Sequence, residues 1–407
     1  MNVIPYRHQW IDEDDIAAVA AALRGERITQ GPLIEAFEER VASYCGARHA
    51  VALSSGTAAL HAACAAAGIG PGDDVITTPL TFVATANAVV YQGGTPVFAD
   101  IDAQTLNIDA DAIAARITPR TKAIMPVHFA GLPCDMQRIR AIAREHRLAV
   151  IEDACHALGA AWRTSEGYQE RIGSCSHSEM TVLSFHPVKH VTTGEGGMVL
   201  TNNEELRDRL RAFRHHGLHK GGDAQEPWRS EMRALGYNYR ITDFQCALGL
   251  AQLEKLGRWL DRRREIIDAY RRALEGTGCL MQPEPAGGRH AWHIVVLQLP
   301  AGTDRRAVFE SCQAQGVGVN VHYLPVHLHA FYRERFGHRP GGCPVAEGYY
   351  ERALTLPLFP RMSDEDVQRV ITVVRGILDG YQASGTVAAP AGAAAPQGKG
   401  AGWIPSK

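Results

Sequence analysis

The chain contains no CxxC pair, no GxGxxG after its first apolar run, and no stretch near the ~20 uninterrupted apolar residues of a membrane-spanning helix. Each absence removes a class. Without the glycine fingerprint a Rossmann oxidoreductase is disfavoured. Without a long apolar run no membrane span is predicted. The opening segment MNVIPYRHQWIDEDD is polar and acidic and lacks the apolar core of a signal peptide. A formal net charge of -2 leaves no basic surplus to attract nucleic acid or an anionic membrane. The nine cysteines are odd in number and scattered, and Cys64, Cys155 and Cys246 lie in apolar segments. Buried, reduced thiols and a cytoplasmic location are therefore expected, not a disulfide framework. The 18 histidines raise the question of metal. The groups His215, His216, His219 and His322, His327, His329 have no acidic ligand or cysteine at metal-site spacing, so no metal is expected.

What is present is a soluble globular composition, 45% hydrophobic and 21% charged, over 407 residues. That length suggests two domains or one elaborate one. Seven short apolar runs lie between residues 49 and 202: HAVALSS, DVITTPL, TPVFADID, KAIMPVHFA, LAVIEDA, MTVLSF and GGMVLTN. Segments of helical spacing, such as TAALHAACAAAG and DMQRIRAIAREH, separate several of them. This alternation predicts an α/β fold with a mostly parallel central sheet and helices on both faces. Residues 241–274 read as one long helix or two joined ones. Residues 292–380 mix strands and amphipathic helices, which suggests a smaller α+β C-terminal domain. The expected division is a large domain over 15–250, a small one over 1–14 and 251–383, and a disordered Ala/Gly/Pro-rich tail over 384–407.

Ligands of parallel sheets bind outside the carboxyl ends of the strands. The first run ends in Ser54-Ser55-Gly56-Thr57-Ala58-Ala59, ahead of a helical pattern. Free amides, hydroxyls and the positive helix end there suit a phosphate, or simply an N-cap by Ser55 or Thr57. LAVIEDA ends in Glu152-Asp153, with His156 three residues on. A carboxylate closing an apolar strand needs a partner. Asp153 is either the partner of a protonated ring nitrogen or an ordinary strand end or cap. MTVLSF leads through Ser184, Phe185, His186 and Pro187 to Lys189, then TTGEGG. Pro187 prevents a regular helix, so Lys189 lies on a loop in the crevice, as a surface charge or a reactive amine.

Taken in order, SSGTAAL, EDACHALGA and SFHPVKHVTTGEGGMVLTN resemble the fold-type I pyridoxal phosphate (PLP) enzymes. More narrowly, they resemble the DegT/DnrJ/EryC1/StrS family of nucleotide-sugar aminotransferases. TQGP, TFVATANAV, LGYNYRITDFQCALG and VHYLPVH belong to the same pattern, which runs from Ile4 to Tyr381. Within the family, SFHPVK with TTGEGG is most similar to the branch that aminates C4 of a UDP-linked 4-keto-6-deoxy-N-acetylhexosamine on the way to pseudaminic acid. The resemblance implies PLP carried by Lys189 as a Schiff base, with Asp153 on the pyridine nitrogen and His156 against the ring or its phenolic oxygen. It implies a phosphate cradle of Thr57, Ala58 and Ser184, with Phe82 stacked on the ring. It further implies a homodimer with shared sites, in which Asn238 reaches the neighbouring subunit's phosphate. Thr29, Gln30, His322, Tyr323 and His327 match segments that line the sugar site, and glutamate is the implied donor. One departure is His190, where the pattern has proline.

These residue types suit transamination. A lysine on a flexible stem can form an imine, leave it and return as a base. Asp153 would keep the ring nitrogen protonated and Phe82 would exclude water. Three rivals stand beside this reading. A PLP- or pyridoxamine phosphate (PMP)-dependent sugar dehydratase is disfavoured, because those relatives replace the lysine with histidine. Another keto acceptor, on a dTDP-sugar or at C3, fits the same residues. So does a non-catalytic protein that binds PLP or a sugar nucleotide.

Overall fold

All seven apolar runs become strands of one sheet in the computed structural model, which describes residues 3–164, 167–220 and 228–383. The expected tail over 384–407 lies outside the described residues. The strands are β1 (His49–Leu53), β2 (Asp74–Thr77), β3 (Thr95–Phe98), β4 (Thr121–Met125), β5 (Ala149–Asp153), β6 (Met180–Ser184) and β7 (Gly197–Thr201). Their order across the sheet is β1-β7-β6-β5-β4-β2-β3. Strands β3, β2, β4, β5 and β6 run parallel. Val75, Ile76, Ile124, Val150 and Val182 are fully buried, because helices cover both faces of the sheet. This is why the runs read as continuously apolar instead of alternating.

β7 is antiparallel to both of its neighbours, β6 and β1. The loop before it holds Pro187 and a run of glycines, which exclude a crossover helix, so the chain doubles straight back. This hairpin sets Ser184 opposite Gly197. The main helices of this half are α1 (Glu13–Leu23), α2 (Pro32–Cys45), α3 (Gly56–Ala66), α4 (Ala84–Tyr91), α5 (Met136–His146), α6 (Glu204–Arg214) and α7 (Asp243–Leu253). α3 starts at Ser55, whose Oγ accepts a hydrogen bond from the Ala58 amide at 3.1 Å. Its tip is packed against two strands. A Cβ on Gly56 would lie 2.9 Å from Ser184 Cβ, and one on Gly197 would lie 2.3 Å from the Ser55 carbonyl oxygen.

The segment 241–274 forms two helices, α7 and α8 (Leu256–Leu274), with the break at Glu254 and Lys255. Lys255 Nζ pairs there with Asp12 and, at 3.0 Å, with Asp15 Oδ1. Gln252 Nε2 donates to Asp15 Oδ2 at 2.7 Å, which fastens α1 onto α7. Beyond the break a second core forms around the antiparallel pair β8 (Val295–Gln298) and β9 (Ala353–Leu356), with α8, α9 (Arg305–Ala314) and α10 (Asp364–Ala383). Residues before α1 join this second core. Ile4 is buried in it, donates to the Gly316 carbonyl at 2.9 Å and accepts from the Gly318 amide at 2.7 Å. The Leu358 amide donates to the Tyr6 carbonyl. A further apolar cluster, including Leu80, Phe129, Ile294 and Val326, packs the two halves together.

Candidate active site

A cavity of about 540 Å³ opens where the carboxyl ends of β1, β5 and β6 meet the second core. Lys189, Asp153, His156, Thr57, Phe82, Ser184, His322 and Tyr323 all line it. Lys189 follows β6 by a tight turn in which its amide donates to the His186 carbonyl at 2.8 Å. Burial pushes its ammonium below the ordinary lysine value, the acidic neighbours Cys155 and Asp153 work against that, and Arg7 adds to it. A larger neutral fraction makes the amine a better nucleophile and base.

Asp153 ends β5 almost fully buried. Its Oδ2 accepts from Thr85 Oγ1 at 2.7 Å and its Oδ1 from the Cys155 amide at 3.1 Å. The Thr85 hydroxyl has one proton, spent on Asp153, so Thr81 Oγ1 at 2.7 Å donates to Thr85 in turn. A carboxylate offers about four acceptor positions, so capacity is left for a donor in the cavity. The neighbouring Glu152 points to the opposite face of the sheet. It is fully buried and accepts from His128 Nε2 at 2.8 Å, Thr181 Oγ1 at 2.9 Å and the Ser178 hydroxyl. The Cys134 amide donates to His128 Nδ1, which fixes the proton on Nε2. Burial raises the Glu152 carboxyl, but His128 and the two hydroxyls outweigh it and hold the group below the ordinary glutamate value.

His156 packs its ring 4.4 Å from that of His293, and its Nε2 lies 3.4 Å from the Tyr323 hydroxyl. Burial drives both imidazoles well below the ordinary histidine value, with Lys189 the next contributor, so both are neutral at pH 7. Nδ1 of each is buried without a protein partner among the described residues. His322 is held by Thr355 Oγ1 at 2.8 Å and pushed down to about 3, first by burial and then by Arg7. Phe82 lies at the mouth, 56% exposed, with its ring 6.2 Å from that of Tyr323. At the tip of α3 the amides of Gly56 and Thr57 make no hydrogen bond among the described residues. Two unspent N–H groups at a helix N-terminus, with the Ser184 hydroxyl beside them, suit a phosphate.

Other expected site residues lie elsewhere in the protomer. Ala58 is buried behind the tip and its amide is taken by Ser55. Asn238 is exposed, in a bridge to His215. Thr29 and Gln30 are exposed in a turn that bridges to Thr242, outside the cavity. His327 is buried away from it, with Nε2 2.9 Å from Glu347 Oε1 and its ring against Phe98. His190 is buried too, its Nε2 2.9 Å from the Ala291 carbonyl and its ring 5.5 Å from that of His293. Sequence reasoning missed Tyr6, Arg7, Thr85, His293 and Asn320, all in the cavity wall. Only Thr85 carried a signal: Thr81 and Thr85 lie four apart across a helix start, on one side of it.

The DegT/DnrJ/EryC1/StrS aminotransferase family pattern matches residues 9–375. The spore coat polysaccharide biosynthesis protein SpsC of Bacillus subtilis is 43% identical over 388 residues, which cover 93% of this chain and 98% of that one. Among solved structures, Helicobacter pylori PseC, an aminotransferase involved in pseudaminic acid biosynthesis, superposes with a TM-score of 0.85 at 30% identity. That match covers 93% of this chain and 100% of PseC. A Streptococcus pneumoniae protein described as a sugar aminotransferase gives a TM-score of 0.86 in its PLP form, at 28% identity over 93% of this chain and 99% of its own. With the match spanning both cores and all of the cavity wall except Tyr6 and Arg7, the chain belongs to the DegT/DnrJ/EryC1/StrS aminotransferase family.

Proposed function

We propose that this protein transfers an amino group from glutamate to C4 of a UDP-linked 4-keto-6-deoxy-N-acetylhexosamine, on the pathway to pseudaminic acid, as a cytoplasmic homodimer with shared active sites. The coarser statement stands on the family: the protein is a PLP-dependent sugar aminotransferase of fold-type I. The observation that carries the reading is the convergence of Lys189, Asp153 and the unspent amides of α3 on one cavity. These residues fit PLP. The amides of Gly56 and Thr57 and the Ser184 hydroxyl would hold its phosphate, Asp153 its ring nitrogen and Lys189 its aldehyde carbon. His156 and Phe82 supply ring faces. When bound, PLP supplies an electron sink for bond breaking at the donor's Cα.

The chain's own groups do the rest. Lys189 Nζ, partly neutral, takes the Cα proton of the amino donor and later returns one to the carbon that receives nitrogen. The Thr81–Thr85 hydroxyl chain keeps Asp153 oriented. Neutral His156, bonded to Tyr323, offers a flat, uncharged wall that keeps water off the reacting atoms. Asn238 is exposed and outside its own cavity, and Met232 and Leu235 near it are exposed as well, as expected of a surface that serves a second copy. No helix among the described residues is long and apolar enough to cross a membrane.

PseC supports the C4 reading. The higher identity to SpsC, over nearly its whole length, favours a second reading: another nucleotide-linked keto sugar destined for a surface polysaccharide. The test is to offer UDP- and dTDP-linked keto sugars with glutamate and read the position of nitrogen by NMR. Nitrogen at C4 of the UDP sugar supports the proposal. Nitrogen at C3, or turnover of the dTDP sugar alone, moves it to the second reading.

A further inference from the structure

The N-terminal arm brings one cation into the cavity that no part of this scheme has used. Residues 3–10 run along the second core, fixed by the hydrogen bonds of Ile4 to Gly316 and Gly318 and of Leu358 to Tyr6. Tyr6 and Arg7 thereby enter the cavity wall, with the Arg7 guanidinium 4.5 Å above the Tyr6 ring. Arg7 makes no ion pair among the described residues. Its charge is felt across the cavity, since it depresses Lys189, His322 and Tyr323 after burial has acted on each.

The inventory of charge in the wall is short. Among the described residues Arg7, Asp153, Lys189 and Glu195 are its only ionic side chains, and the buried histidines are neutral. Asp153 would hold the ring nitrogen of the cofactor. Glu195 stands at the rim, 3.9 Å from His186, and repels anions. Once Lys189 is engaged with the cofactor its charge no longer serves a reactant, which leaves Arg7 as the single permanent cation. The cofactor's phosphate would be held by the amides at the tip of α3. Asn320 shares the wall with Arg7: its Oδ1 accepts the Val321 amide at 2.8 Å, and its Nδ2 makes no hydrogen bond among the described residues.

We infer that Arg7, assisted by Asn320, anchors the α-carboxylate of the amino donor. The inference rests on the aminotransferase reading above. Distance selects the carboxylate over the other anion in the reaction. The donor's α-carboxylate is two bonds from its reacting nitrogen, so it must lie beside Lys189, in the cavity whose wall Arg7 shares. The diphosphate of a nucleotide sugar hangs from C1, across the ring from C4, and lies further out. A guanidinium offers two parallel N–H groups to a carboxylate and so fixes orientation as well as place.

The test uses the full-length holoenzyme in wild-type, Arg7→Ala and Arg7→Lys forms. Two dissociation constants are measured by calorimetry, for glutarate, a dicarboxylate without the amine, and for UDP. The glutamate concentration that half-saturates bleaching of the visible cofactor band is measured alongside. Arg7→Ala is expected to weaken glutarate and raise half-saturation by glutamate roughly 10- to 100-fold, the loss of one charge-assisted pair. UDP binding stays within about twofold, and Arg7→Lys falls between, keeping charge but losing the fork. A wild-type protein that transaminates glutamate while Arg7→Ala keeps its half-saturation overturns the inference alone. So does a loss confined to UDP, which would place Arg7 at the nucleotide end. A wild-type protein on which borohydride traps no PLP at Lys189 overturns the functional reading and this inference together.

Discussion

Glu152 and Asp153 are adjacent carboxylates at the end of one strand, and they face opposite sides of the sheet. Glu152 is closed: His128, Ser178 and Thr181 supply three donors, and its exposure is 0%. Asp153 is open: Thr85 and one amide supply two, and the remaining lone pairs face a cavity. The chemistry of the two groups is the same, so the difference lies in what the fold leaves unspent. A buried carboxylate whose acceptors are all filled ties strands together. One whose acceptors are partly filled is prepared for a ligand with a proton to give.

Substitutions can break this contrast. The largest effect is expected from Glu152→Ala, which strands three buried donors and opens a void; thermal or urea unfolding should show a loss of about 3–5 kcal/mol. Because the folded Glu152 carboxyl is held low, its stabilisation is complete above the ordinary glutamate value and fades as pH falls through the lowered one. The acid limb of wild-type stability should therefore flatten in the variant. Next comes Asp153→Asn, which keeps the shape but not the charge. Turnover should fall roughly 100- to 1000-fold, the scale of a lost electrostatic contact at the reacting centre, with the melting temperature little changed. If Asp153→Asn instead unfolded the protein and Glu152→Ala only slowed it, the contrast would be reversed. The smallest effect is expected from Thr85→Val. It removes one donor from Asp153 and should loosen PLP retention about tenfold, read by dialysis and absorbance.

The amino-acid sequence made the strands legible and their ends suspicious, because parallel strands buried on both faces leave unbroken apolar runs. It did not separate Glu152 from Asp153 beyond their order. Which of two neighbours faces the cavity depends on strand register, and the side-chain partners of the pair come from residues 24 to 68 positions away. Arg7 was illegible for a related reason. Nothing local marks it, and only the return of residues 3–10 to a core built from the far end of the chain brings it into the cavity wall. His322 and Tyr323 stand in the cavity wall, whereas His327 four residues on is turned into packing against Glu347. In such a loop sequence distance says little about direction. Asn238, Thr29 and Gln30 lie exposed outside the cavity, Asn238 in a bridge to His215 and Thr29 in one to Thr242.

The chain passes between its two cores twice, once ahead of α1 and once at the break between α7 and α8. Both passages meet at one knot, where Lys255 grips Asp12 and Asp15. The two halves are fastened elsewhere as well, since the Ala291 and His293 amides donate to the Gly131 and Ala130 carbonyls and the Val326 amide to that of Pro79. A substitution at Lys255 therefore loosens both crossings of the chain at once while the halves stay joined, and the arm that carries Arg7 is the segment it frees.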